Sequence, residues 1–84
     1  MALRKLTPKE RKLWEDVVHY LRINGAFVVS PPYCFDIVVE ALPDTLIADK
    51  LAENHYEITG PHQRNTVRGI EPVRKFTFKI EEKN

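Results

Sequence analysis

The eight residues Phe35-Asp36-Ile37-Val38-Val39-Glu40-Ala41-Leu42 decide the fold, because they fit two different periods. With a period of two, the odd-numbered residues form an apolar face, and Asp36, Val38 and Glu40 form the other face. The Ile-Val-Val run favours a strand, since β-branched side chains pack well on a pleated surface. The Val-Glu-Ala-Leu end could instead close a short helix. We predict a strand over 35–42 and keep the helix as the alternative.

A strong helix signal precedes this segment, between Thr7 and Gly25. Thr7 is suited to cap the first amides, Pro8 to the first turn, and Glu10 to complete a capping box. Gly25 can adopt the left-handed conformation that ends a helix. The apolar residues in between recur at helical spacing, so the helix must bury one stripe. They are Leu13, Trp14, Val17, Val18 and Leu21.

Proline and glycine residues divide the rest of the chain into shorter elements. Residues 26–30 are predicted to form a strand that Pro31-Pro32 stops, which makes 31–34 the loop of a hairpin. A short helix over 44–54 is capped by Asp44 or Thr45. Its apolar side comprises Leu46, Ile47 and Leu51.

The last part of the sequence contains two further strand patterns. Residues 56–59 form a strand that Gly60-Pro61 closes. Residues 60–72 are predicted to be a loop or an irregular hairpin, with a short strand over 66–68. The final strand, 73–80, alternates, with Phe76, Phe78 and Ile80 inward and the basic positions outward. If it lies beside 35–42, Asp36 and Glu40 pair with its lysines.

The resulting order is α-β-β-α-β-β. It predicts an α+β fold, a two-layer sandwich with two helices on one face of a mostly antiparallel sheet. The 84 residues make one small domain, 1–84, with frayed ends at 1–5 and 81–84. A domain of this size has little room for a deep pocket. We therefore expect its apolar side chains to be consumed in joining the helices to the sheet.

Composition narrows the class of protein. The chain is 43% hydrophobic and 30% charged, as is typical of a folded domain. No apolar run approaches the ~20 residues that cross a bilayer, and residues 1–12 are too polar for a secretory signal. Cys34 is the single cysteine, so the chain has no internal disulfide. We expect a soluble cytoplasmic protein without membrane association.

Two clusters of positive charge are candidate contact sites, although the net charge is only +1. The first lies in the opening turns of the first helix, where the helix dipole disfavours cations and an anion could bind. The second lies in the polar 60–72 segment, whose planar donors suit phosphates or base edges. The candidate residues are Lys9, Arg11 and Lys12 in the first cluster and His62, Arg64 and Arg68 in the second.

Residue patterns for catalysis or metal binding are scarce. Cys34 could act as a nucleophile with His19, His55 or His62 only if the fold brought them together, because no local sequence signature indicates such a pair. The same four residues are too scattered for metal-ligand spacing, and three glycines cannot build a phosphate-binding loop. We predict no enzyme activity, no metal and no cofactor.

If residues 35–42 were helical, the element order would resemble the winged-helix arrangement, with 26–30 as the first strand and the Arg64/Arg68 loop as the wing. That resemblance implies a nucleic-acid-binding domain that uses the basic N-terminus and the 60–72 segment. Its recognition helix, 44–54, would carry three acids against Lys50, which is unfavourable beside phosphates. We therefore prefer a non-catalytic binding or accessory module. Its partner would be a protein, a nucleic acid, or a second copy paired through a sheet edge.

Overall fold

The segment that decides the fold is a strand. The computed structural model describes residues 5–80, and residues 36–41 are extended in it. The helical alternative for 35–42 is therefore wrong, and with it the winged-helix order. The structure confirms the α+β order predicted from the sequence, with these elements: α1 (Pro8–Ile23), β1 (Phe27–Val28), β2 (Asp36–Ala41), α2 (Leu46–Asn54), β3 (Tyr56–Thr66) and β4 (Gly69–Lys79).

The four strands form one sheet in the order β1-β2-β4-β3, and every neighbouring pair is antiparallel. Since β4 lies between β2 and β3, these two strands run in the same direction, and α2 carries the chain across β4 from one to the other. Asp36 lies opposite Lys79 and Glu40 opposite Lys75, which confirms the predicted register. β1 is shorter than the predicted 26–30 strand, with two residues in the ladder.

Both ends of α1 form as its sequence predicts. The Thr7 hydroxyl accepts from the Glu10 amide at 3.2 Å, and the Glu10 carboxylate accepts from the Thr7 amide at 2.9 Å, so the capping box is complete. At the other end the Gly25 amide donates to the Arg22 carbonyl, and the Ala26 amide donates to the Leu21 carbonyl. Gly25 has a φ of +90°, as this type of C-terminal cap requires.

Thr45, rather than Asp44, caps α2. Its hydroxyl accepts from the Ala48 amide at 3.3 Å and donates to the Leu42 carbonyl at 2.8 Å. Ile47 is buried as predicted, but Leu46 is exposed, so its assignment to the apolar side of the helix is wrong. The buried side of α2 consists instead of Ile47, Ala48 and Leu51, which are spaced as one helix face.

One core joins both helices to the same face of the sheet, which makes the molecule a two-layer sandwich. Trp14 is buried, and the ring of Tyr33 lies 4.7 Å from it, which brings the 31–35 loop onto α1. The Tyr33 hydroxyl also donates to Glu15 at 2.7 Å. The fully buried residues at the centre of the sheet are Ile37, Val39, Ala41 and Phe76. Apart from Lys5, the segments 1–5 and 81–84, predicted to fray, lie outside the described residues.

Residues 60–72 form a long β-ribbon, so the prediction of a loop there is wrong and the irregular hairpin is correct. β3 does not stop at Gly60-Pro61 but continues through a bulge between Ile58 and His62. Gly60 has a φ of +119°, a backbone conformation that glycine adopts readily and L side chains rarely adopt, and it lies within this irregularity. The chain then reverses at 67–68, between Thr66 and Gly69, rather than forming a short strand there. The far half of the ribbon extends past the end of β2.

Candidate binding groove

An open groove of about 530 Å³ lies between α1 and α2 above the end of β4. The expectation that all the apolar side chains would be buried between the helices and the sheet is therefore wrong. Trp14, Val18 and Leu21 supply the buried stripe of α1, but a second stripe beside it remains half open to solvent. The lining side chains from α1 are Leu13, Asp16, Val17, Tyr20 and Leu21; those from the rest of the chain are Ile47, Lys50, Leu51, Asn54, His55, Phe78, Lys79 and Ile80.

The groove exists because the sheet and α2 cover only part of the apolar face of α1. Leu13, Val17 and Tyr20 are spaced by four and three residues, so they form one ridge along the helix. Leu13 is 39% exposed and Tyr20 is 43% exposed, although both border the core. Exposed apolar surface of this kind on a small domain is typical of a contact site for another molecule.

The floor of the groove carries one titratable ring. His55, the residue that ends α2, stacks on Phe78 with ring centroids 4.1 Å apart. Burial lowers the pKa of His55, because the apolar surroundings disfavour the imidazolium. The ring is therefore held in its neutral form at neutral pH and contributes to the apolar floor.

The rim of the groove is charged unevenly. On the α1 side, Asp16 accepts from Lys12 at 3.1 Å, so its charge is already balanced. On the opposite side lies Lys50 of α2, which is exposed. Lys79 of β4 also borders the groove, but the register places its side chain with those of Lys75 and Thr77 on the face of the sheet opposite the helices, across from Asp36. The α2 side of the groove therefore carries one exposed positive charge, that of Lys50.

The predicted contact residues of the N-terminal cluster lie on the exposed surface of α1, and Lys9, Arg11 and Lys12 do not line the groove. They also lie far from the second cluster. α1 leads through the turn at Gly25 into Phe27, which Arg64 contacts, so the ribbon lies near the C-terminal end of this helix. The 16 residues of α1 make a helix about 24 Å long, and the N-terminal cluster lies in its first turns, at the other end.

In the second cluster, Arg64 is engaged within the molecule. Its guanidinium lies 4.2 Å from the centre of the Phe27 ring and donates to Glu40 at 3.2 Å. Lys75 approaches the same carboxylate at 3.5 Å, and Glu40 is almost completely buried. This arrangement holds the ribbon against β1 and β2 on the face of the sheet opposite the helices. It accounts for Arg64 as a structural residue.

The other two residues of that cluster differ in their surroundings. The imidazole of His62 lies within hydrogen-bond distance, 3.2 Å, of the Ile58 carbonyl across the bulge. Arg68 lies in the exposed turn at the tip of the ribbon. The six predicted residues are thus spread over three places: the N-terminal end of α1, the sheet face and the ribbon tip.

The groove residues were missed at the level of sequence, although a signal for them exists. Apolar residues occupy 13, 14, 17, 18, 20 and 21, a stripe wider than one packing face requires.

Cys34 does not line the groove; its sulfur lies 3.1 Å from the Pro31 carbonyl and 3.0 Å from the Asp36 carbonyl. Among residues 5–80 there is no group of three or more His, Cys, Asp or Glu residues that could hold a metal ion. No helix in this range is long and apolar enough to cross a membrane.

Comparisons of the chain with protein-family models, with curated protein sequences and with solved structures returned no match.

Proposed function

We propose that this chain is a non-catalytic interaction module that binds a segment of a protein partner in the groove between α1 and α2. The observation that supports the proposal is the half-exposed ridge of Leu13, Val17 and Tyr20, which lies beside the core and has no covering element among the described residues. The lining is mostly apolar, and it contains no serine, threonine or cysteine that could act as a nucleophile. Such a surface suits binding by apolar contact better than chemistry.

A peptide selection tests the proposal. A library of peptides is selected against the wild-type protein, and the affinities are measured again with Leu13→Gln. Glutamine has a helix propensity close to that of leucine but places an amide in the apolar groove. We expect at least a tenfold loss of affinity.

The matched control is Ile23→Gln on the same helix. Ile23 is 67% exposed, more than Leu13, but it does not line the groove. We expect peptides to bind this variant as they bind the wild type. A selection that yields no binder, or binders that tolerate Leu13→Gln, would contradict the proposal.

The ribbon supports a second candidate function, the binding of duplex nucleic acid. Gln63, Asn65 and Arg68 are exposed on it, and a two-stranded ribbon fits the major groove, where amide and guanidinium donors contact base edges. The test is a titration with duplex DNA at about 50 mM salt, where the phosphate contribution is large. If the ribbon contacts the DNA, we expect Arg68→Ala to weaken binding and Lys9→Ala to leave it unchanged. A titration in which no binding is detected rules out this candidate function.

A homodimer paired through a sheet edge is a further partner arrangement that the topology permits. β1 and β3 are the edge strands, and β3 is the longer. The bulge and Pro61 interrupt the exposed edge of β3, which is a feature that opposes pairing with another strand. Sedimentation over a range of concentrations measures this directly, and we expect a monomer.

A further inference from the structure

Residues 31–34 form a short connection between β1 and β2 that is anchored at both ends. At one end the Ser30 hydroxyl accepts a hydrogen bond from an amide of β2 at 3.1 Å. At the other end the Ile80 amide donates to the Phe35 carbonyl at 2.7 Å. Between these anchors, no backbone–backbone hydrogen bond of 31–34 is found in the described part of the chain, and its two prolines have no N–H group to donate. The main chain of the connection is therefore fixed at its ends and not along its length.

The side chain of Tyr33 brings this connection onto α1. Its ring lies 4.7 Å from the ring of Trp14, and its hydroxyl donates to the Glu15 carboxylate at 2.7 Å. Tyr33 is 45% exposed whereas Trp14 is buried, so the tyrosine ring covers the indole from the outside. The thiol of Cys34 bonds to carbonyls of the connection and of β2, which does not tie the connection to α1.

Two features of this contact are energetically unfavourable. Tyr33 has a φ of +59°, in the left-handed region that a bulky L side chain adopts only at a cost. The indole N–H of Trp14 is buried without a hydrogen-bond partner among the described residues, although buried indole donors usually have one. Both costs are relieved when the connection moves off α1, since the backbone relaxes and water reaches the indole. The closed arrangement is therefore favoured by a narrow margin.

We propose that residues 31–34 are a lid that moves away from α1 about its anchors at Ser30 and Phe35 and uncovers the Trp14 indole while the sheet remains folded. The ring contact and the hydrogen bond between Tyr33 and Glu15 hold the lid closed. The lid thereby controls the access of solvent and of other molecules to the indole. It is separate from the groove, because neither Trp14 nor Tyr33 lines it. The inference goes beyond the proposed function, and neither depends on the other.

The test uses Trp14, which is the only tryptophan of the chain, so that its indole N–H gives a single resonance. Hydrogen exchange of this N–H is measured by NMR together with that of the Val39 amide in the centre of the sheet, at urea concentrations below the unfolding transition. We expect the indole N–H to be about 100-fold less protected than the Val39 amide. Its exchange should be insensitive to urea, because opening of the lid exposes little surface.

Two substitutions remove the same hydrogen bond from opposite sides. Tyr33→Phe removes the donor and keeps the ring, and Glu15→Ala removes the acceptor at an exposed helix position where alanine is favourable. We expect each to accelerate exchange of the indole N–H about fivefold, and the double variant to add little, since both changes remove one interaction. Quenching of the indole fluorescence by acrylamide should rise in the same order. The matched control is Asp16→Ala, which removes the neighbouring acid of α1, bonded to Lys12 instead, and should leave the exchange unchanged.

Several results would overturn the lid. Indole exchange with the same urea dependence as that of the Val39 amide would show that water reaches Trp14 only when the whole domain unfolds. Rapid exchange that neither Tyr33→Phe nor Glu15→Ala accelerates would show that water enters by another route. An equal acceleration by Asp16→Ala would assign the effect to the charge of α1 rather than to the hydrogen bond of the lid.

Discussion

A pair of isosteric substitutions one residue apart in β2 tests the strand on which the architecture depends. Val39 is fully buried, and it lies opposite Phe76 on the helix side of the sheet. Val38 is half-buried on the other face, opposite Thr77. We compare Val39→Thr with Val38→Thr, because each change exchanges one methyl group for a hydroxyl at almost constant volume.

The expected magnitudes differ because the two faces differ. At residue 39 the new hydroxyl is buried among apolar side chains, which costs about 1–3 kcal/mol. For a domain of this size each kcal/mol corresponds to about 4–8 °C in Tm, so a mid-range cost of about 2 kcal/mol lowers Tm by roughly 8–16 °C. At residue 38 the hydroxyl faces Thr77 and solvent, and we expect a change within about 0.5 kcal/mol.

The assay is urea and thermal unfolding, followed by circular dichroism and by the fluorescence of Trp14, which is buried in the same core. The denaturant midpoint should fall for Val39→Thr while the slope m stays constant, since a stability change alone leaves m unaltered. Equal destabilisation by the two variants, or a larger loss for Val38→Thr, would refute the assignment of the two faces of β2.

Three further predictions concern other parts of the fold. Thr7→Ala removes the N-terminal cap of α1 and should cost about 1 kcal/mol by urea unfolding, whereas Thr7→Ser keeps the hydroxyl and most of the stability; equal losses would argue against the capping role. Gly60→Ala should cost about 1–3 kcal/mol, since the added Cβ has room but the φ of +119° disfavours any L side chain; a neutral result would contradict the bulge geometry. Because the pKa of His55 is lowered in the folded protein, its contribution to stability is complete above the unfolded pKa of about 6.5 and is lost as pH falls through that value toward the folded pKa. The free energy of unfolding of the wild type should therefore decrease as pH falls through this range, and His55→Phe, which retains a ring on Phe78, should lose this pH dependence. An unchanged pH dependence in the variant would assign the effect to other groups.

The sequence determined the elements that depend on local chemistry. The cap at Thr7 and Glu10 and the stop at Gly25 are short-range hydrogen-bond patterns, and they form as the residue types require. The alternation in 73–80 likewise fixed which side chains of β4 face the core. These features need only neighbouring residues, so the chain carries them wherever it folds.

The tertiary structure decided what depends on residues distant in sequence. The ribbon continues through Gly60-Pro61 because β4 supplies pairing partners on both sides of the bulge. Local turn residues carry no information about which strand lies beside them, so the sequence could not predict this pairing. Arg64 is similar: its sequence suggests a free contact residue, but the fold places it on Glu40 and Phe27.

The groove is the clearest case of this division. The sequence contains the wide apolar stripe of α1, but how much of that stripe is covered depends on where α2 lies on the sheet, and α2 lies far enough away to leave Leu13 and Tyr20 half open. Helical spacing determines which side chains share a face, whereas coverage of that face is a property of packing between elements. The sequence alone therefore identified the residues of the core, whereas the candidate binding surface could be identified only from the packing of the helices on the sheet.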